Sequence, residues 1–158
     1  MVSEAVLQSI PLFQGLKAEE LGQVAQYITQ KDYVKNELIF TENTGGRQLY
    51  IIKSGVVRIS KVVSGKEEQN LTLLKEGEFF GELSLLDGKP HTANAVAWKD
   101  CQILTLGKDQ FEKFLAEDPQ SGYQLLERIL IGVCGLLRQM DEKFIDMIKF
   151  VWEFGAKT

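Results

Sequence analysis

The stretch best suited to chemistry runs Gly77-Glu78-Phe79-Phe80-Gly81-Glu82-Leu83-Ser84-Leu85-Leu86, then Pro90-His91-Thr92-Ala93-Asn94-Ala95-Val96-Ala97. It reads as a strand end, a glycine that frees the backbone, a short helical turn, a loop and another strand. A glycine followed by a helical turn presents backbone N–H groups outward, as an anion cradle does. Glu82 is oddly placed beside an anion. It makes sense as the acceptor of a sugar hydroxyl while the N–H groups take a phosphate.

Little else in the chain competes for a chemical role. His91 is the only histidine, which excludes a histidine-cluster metal site. No nucleophile–base pair surrounds it and no P-loop is present, so the chain does not read as an enzyme. Glu42, Glu82 and Asp87 are the nearest thing to paired acids, and each is more simply a turn or surface carboxylate. Cys101 and Cys134 have neither metal spacing nor a disulfide framework, which makes a reducing cytoplasm the expected location. The start, Met1-Val2-Ser3-Glu4, has no basic leader, and no apolar run reaches the ~18 residues of a membrane span. With 18 basic against 22 acidic residues, the net charge of −4 lacks the electrostatic footprint of a general nucleic-acid binder. A length of 158 residues, 44% hydrophobic and 25% charged, fits one folded domain with an appended helix.

The elements that must position the motif fall into three zones. Residues 3–28 read as helical, with Leu16, Leu21, Val24, Ala25 and Ile28 at three- to five-residue steps and breaks at Pro11 and Gly15. Residues 31–107 read as short strands: 38–40, 49–52, 56–59, 71–74, 93–97 and 103–106, punctuated by Ser54-Gly55, Ser64-Gly65, Glu76-Gly77 and Asp87-Gly88. Many short strands at near-regular spacing suggest an antiparallel sandwich or barrel. A short helix over about 108–116 follows, and Asp118-Pro119 then supplies an N-cap with proline at the first helical position. The expected division is a β-roll with N-terminal helices over 1–118 and a long helix over 119–155.

That last helix carries the cleanest pattern. Leu126, Leu130, Val133, Leu137, Met140, Phe144, Met147, Val151 and Phe154 step alternately by four and three, and every one is apolar. This is an a/d seam over four heptads, the signature of a coiled-coil contact. Glu142, Asp146, Lys149 and Glu153 form a polar stripe on another side. A helix of about 35 residues is roughly 50 Å long, more than a β domain of this size can cover. A parallel homodimer through the seam is the expectation.

The Phe80-Gly81-Glu82-Leu83-Ser84-Leu85 segment resembles the phosphate-binding cassette of cyclic-nucleotide-binding domains, of the catabolite-activator and protein kinase A regulatory-subunit type. The likeness extends over roughly 8–150. Pro11-Leu12-Phe13 with Leu16 and Glu20-Leu21 resembles the family's N-terminal helices. Glu37-Leu38-Ile39-Phe40 and Leu49-Tyr50-Ile51-Ile52 with Ser54-Gly55 resemble its first strands, and Phe111 with the helix after Pro119 resembles its last helices. The resemblance implies a mainly β fold with flanking helices: an eight-stranded β-roll with the nucleotide inside, closed by the long helix. It implies that Glu82 holds the ribose 2′-hydroxyl, and that amides around Gly81, Leu83 and Ser84, and near Thr92 and Ala93, face the cyclic phosphate. The ligand implied is cyclic AMP or cyclic GMP. Family transcription factors carry a DNA-binding module after the long helix that needs roughly 60–70 further residues, so direct DNA binding is not expected of this chain.

The chain departs from the family where its phosphate-binding arginine should stand, nine residues after the glutamate. That position is His91. Arginine is always charged and offers a planar fork to two phosphate oxygens, whereas histidine near pH 7 is mostly neutral with one donor. A second departure is the turn before Leu49, where Asn43-Thr44 and Gly46-Arg47 replace glycine–aspartate pairs; asparagine tolerates the positive φ such a turn needs. Arg47 and Lys89 read chiefly as solvated loop charges, and secondarily as cations that compensate at the phosphate. Three readings of His91 stand open: weakened phosphate binding, a pocket retuned to another anion, or an empty pocket. They yield two functions. One is a stand-alone sensory module whose dimer is read by a regulated partner protein. The other is a dimeric scaffold with a degenerate, ligand-free pocket.

Overall fold

A computed structural model describes residues 2–65 and 67–155. Two helices, α1 (Glu4–Gln8) and α2 (Ala18–Ala25), flank a 3₁₀ turn at Pro11–Phe13, so Pro11 and Gly15 do break the first zone. The helical zone ends earlier than the periodicity suggests. Ile28 opens β1 (Ile28–Tyr33), whose only apolar ends, Ile28 and Tyr33, are buried while the four residues between them are exposed. That strand carries little pattern of its own; its ladder with the eighth strand holds it in place.

The remaining strands are β2 (Leu38–Phe40), β3 (Gln48–Ser54), β4 (Val56–Ser64), β5 (Glu67–Lys75), β6 (Phe79–Phe80), β7 (Asn94–Ala97) and β8 (Cys101–Gly107). They form two four-stranded antiparallel sheets, ordered β1-β8-β3-β6 and β2-β7-β4-β5. The result is the eight-stranded β-roll with flanking helices that the resemblance implies. A two-residue period explains why β3 reads as an unbroken apolar run. Leu49 and Ile51 point to one side, against Phe13, Leu21, Leu104, Leu106 and Phe114, while Tyr50 and Ile52 point into the roll against Phe80, Ala95, Ala97 and Ile103. The two faces thus belong to two cores: one glues the helices to the sheet and the other fills the roll. Alanines at 93, 95 and 97 leave the roll interior short of bulk where a cleft opens.

Helix α3 (Glu82–Asp87) lies between β6 and β7, α4 (Lys108–Glu117) follows β8, and α5 (Pro119–Gly155) is 37 residues, roughly 55 Å long. Asp118 starts α5 as the sequence suggests: its carboxylate accepts from the Ser121 amide at 3.1 Å and from the Ser121 hydroxyl at 2.6 Å. Ser121, Leu125 and Ile129 dock this helix on the helical core, and Gly132 then passes over Phe79. A Cβ at Gly132 would run into the Phe79 ring, so only glycine allows that approach. The a/d seam is not the docking face. Leu126 and Val133 are half-buried, but Leu130, Leu137, Met140, Phe144, Met147, Val151 and Phe154 all face solvent in the single chain. From Leu137 to Phe154 every residue is exposed except half-buried Ile148. Among the described residues, no helix is long and apolar enough to cross a membrane.

Gly132→Val is expected to lift α5 from Phe79 and to destabilise the fold by about 1–3 kcal/mol, the range of an overpacked contact. Urea unfolding followed by circular dichroism checks this: the midpoint should fall with little change in slope.

Candidate functional site

The site is built where β6 stops. Its ladder with β3 pairs Phe80 with Tyr50, and the next residue cannot carry a side chain. A Cβ on Gly81 would lie 2.6 Å from the Gln48 carbonyl oxygen and 2.9 Å from the Tyr50 ring, and its φ of 80° is left-handed. The chain therefore pivots at Gly81 and enters α3 at Glu82, with the Leu85 amide donating back to the Gly81 carbonyl at 3.1 Å. The far end of α3 is held too. Lys108 Nζ, at the start of α4, donates to the Leu85 and Leu86 carbonyls at 3.0 and 2.9 Å. A cation on those carbonyls complements the negative end of the helix.

This pivot puts Glu82 inside. Its side chain belongs to a residue only 6% exposed, so the expectation that it is a turn or surface carboxylate is wrong. Burial pushes its pKa up, and a hydrogen bond from its own amide offsets part of that. Asp87 is a surface acid and accepts from the Lys89 amide at 2.9 Å, whereas Glu42 is half-buried and pairs with Lys61 at 3.4 Å.

His91 is also inside, at 4% exposure. Its backbone is pinned on both sides by the β2–β3 loop, donating to the Thr44 carbonyl at 3.2 Å and accepting from the Asn43 amide at 2.8 Å. Asn43 adopts φ of 63°, the left-handed conformation anticipated for it. The imidazole stacks on Phe40, 3.6 Å between centroids and 8° from parallel, and Nδ1 lies 3.4 Å from Ser84 Oγ. Burial holds the His91 pKa below the ordinary histidine value, so the ring is neutral at pH 7.

All of the residues singled out from the sequence, Gly81, Glu82, Leu83, Ser84, His91, Thr92 and Ala93, line a single cleft of about 130 Å³. Its other walls are Phe40, Ile59, Thr72, Leu74, Phe79, Phe80 and Leu136. Sequence reasoning gave no site role to Phe40 or Leu136. The signal for Leu136 was available: Leu125, Ile129, Gly132 and Leu136 step by four, three and four, a stripe distinct from the seam. None of the described lining residues is lysine or arginine. Arg47 is committed elsewhere, 2.7 Å from Asp109, and neither it nor Lys89 lines the cleft. An anion here would be held by amides and hydroxyls around a neutral imidazole, with a buried acid beside them.

A sequence model described as the cyclic nucleotide-binding domain matches residues 30–118. The chain belongs to that family. It is 34% identical over 119 residues to the cyclic AMP receptor protein of Thermus thermophilus, covering 75% of this chain and 55% of that one. It is 34% identical over 113 residues to the cAMP-dependent protein kinase regulatory subunit of Aspergillus fumigatus, covering 71% and 26%. It therefore spans only about half and a quarter of these relatives' lengths. The crystal structure of a cyclic nucleotide-binding domain from Methylobacillus flagellatus superposes with a TM-score of 0.81 at 25% identity, covering 90% of this chain and 80% of that one.

A carboxylate with a raised pKa destabilises the fold wherever it is ionised, since its favourable contribution is present below the unfolded pKa and lost as pH rises through the folded one. Glu82→Gln should therefore raise the melting temperature at pH 7, each kcal/mol being worth about 2–4 °C in a chain of this size, and give no gain near pH 4. Thermal melts at the two pH values check it.

Proposed function

We propose that this chain is a regulatory ligand-sensing module that binds a cyclic nucleotide, cyclic AMP or cyclic GMP, or a related anion, in the roll. The observation that supports this most is the gathering of Glu82, the Gly81 pivot, Ser84 and the Thr92–Ala93 strand entry around one cleft that α5 also touches through Leu136. In this reading Glu82 accepts from the sugar 2′-hydroxyl. The amides of Leu83 and Ser84 and those near Thr92 and Ala93 hold the phosphate, and His91 stands in the arginine's place. The cleft is smaller than the ~300–1,000 Å³ of typical small-molecule sites. A nucleotide must therefore displace something, and Leu136 is the wall carried by a separate element. Moving it shifts α5, which is how occupancy reaches the seam. Transmission requires that the ligand prefer one helix arrangement over the other.

The rest of the proposal follows from α5 and the composition. The chain forms a parallel homodimer through the Leu126–Phe154 seam, the division at Pro119 separates the sensing roll from the pairing helix, and a partner protein reads the dimer. The module is not an enzyme, makes no direct DNA contact, and works in a reducing cytoplasm, consistent with unpaired Cys101 and Cys134. A second reading, a dimeric scaffold with a ligand-free pocket, is favoured by one observation. His91 and Ser84, both candidates for the phosphate, satisfy each other, and the ring is stacked away on Phe40.

Calorimetry with cyclic AMP separates the two. His91→Arg should tighten binding by about 2–5 kcal/mol, roughly thirtyfold to several thousandfold. No heat from either protein would favour the scaffold. The wild-type affinity should also fall as pH climbs from 6 to 8. The free ring titrates below 6.5 and a bound phosphate raises that value, so the added attraction exists below the bound pKa and is lost above it. Affinity independent of pH would take His91 off the phosphate.

A further inference from the structure

The exposed half of α5 is apolar over more of its circumference than one coiled-coil partner covers. Beside the a/d seam lies a second heptad pattern. Ile131, Arg138, Ile145 and Trp152 step by seven, and Cys134, Asp141 and Ile148 step by seven from a start three residues later. Together they alternate three and four, the same spacing as a core seam. Ile131, Ile145 and Trp152 are 63%, 49% and 76% exposed. At 3.6 residues per turn this stripe lies about a quarter turn from the a/d seam and about half a turn from the face that docks Leu125, Ile129 and Leu136 on the roll. Whatever covers it meets the helix from the side opposite its own domain.

We infer that this stripe is a second self-association surface, on which α5 packs antiparallel against α5 of another copy. The occupant is set by charge. Arg138 and Asp141 are the only charged members of the stripe, and neither takes part in an ion pair among the described residues. Antiparallel packing with the two-fold axis between positions 139 and 140 sets Arg138 against the partner's Asp141 and Asp141 against the partner's Arg138. The same register sets Ile131 against the partner's Ile148 and Cys134 against the partner's Ile145. The central layers are then apolar on apolar or acid on base, and at each end Trp152 meets the partner's Glu127, an exposed residue of the next turn. A shift by one heptad faces both charges with isoleucine or another apolar residue, and parallel packing faces Arg138 with the partner's Arg138. Both leave charges unpaired in the contact, so the ion pairs select the register, the role for which polar seam residues are best attested. The two rolls stay on the outside of the pair, because each docks on the far side of its helix.

This surface does not depend on the parallel pairing proposed above. With that pairing the assembly is four chains; without it, two. Sedimentation of the full chain at micromolar concentration reads the outcome. Arg138→Asp or Asp141→Arg creates two like-charge contacts and should weaken the association by about tenfold or more, taking four chains to two, or two to one. The double exchange, Arg138→Asp with Asp141→Arg, restores complementarity and should restore the wild-type mass. These positions are exposed in the single chain, so circular dichroism should be unchanged throughout. In the Ile145→Cys variant, mild oxidation should link Cys134 to the substituted position of the partner. A wild-type mass indifferent to single charge reversal, a double exchange that fails to recover, or linkage only between the two substituted positions would overturn the inference.

Discussion

Glu82 is a carboxylate kept out of water with no cation among the residues lining its cleft. Burying such a group costs free energy, and the raised pKa is the sign that the cost is not fully offset. The local structure explains how it is tolerated. Gly81 alone can make the left-handed pivot against Gln48 and Tyr50, β6 delivers the chain to that point, and Lys108 holds the other end of α3. Three elements distant in sequence thus converge to hold one short helix. A fold selected for stability alone would have neutralised or exposed this acid.

His91 shows how the same setting handles the opposite problem. An arginine at this position would bring a permanent charge into a pocket lined by Phe40, Phe80 and Leu74. The imidazole instead loses its proton and behaves as a flat, apolar-faced ring stacked on Phe40. Ser84 and the strand-entry residues keep their places around it. Among its described lining residues the cleft thus combines a buried acid with a neutral ring and no lysine or arginine.

Much of this was legible in the residues. The cassette segment was readable because its glycine, acid and helical turn are contiguous, and all of its marked residues fall on one cleft. The α5 start was readable because capping is local: Asp118, Pro119 and Ser121 are neighbours. What escaped was non-local. Ile28 continues a helical spacing but belongs to a strand held by its ladder with β8 and by its two buried ends. The stacking of Phe40 on His91 joins residues 51 positions apart, and nothing in either segment announces it. The resemblance pointed Glu82 at the roll, but the residues alone read it as a turn or surface carboxylate, since its burial depends on where β3 passes beneath Gly81. On α5 the seam was visible from spacing and length, but the separate face that docks on the core, Ser121, Leu125 and Ile129, was not singled out.

Among the described residues α5 reaches the cleft through a single wall residue, Leu136, close to the Gly132–Phe79 contact. The most direct test is a nuclear magnetic resonance titration with cyclic AMP that follows the Gly81, Leu83 and Ser84 amides together with the Leu136 methyls. Both sets should shift along one saturation curve, with residues 11–25 largely unmoved. No shift of the cassette amides at millimolar nucleotide would contradict a sugar-phosphate site at Glu82, and amide shifts with silent Leu136 methyls would contradict its link to the long helix.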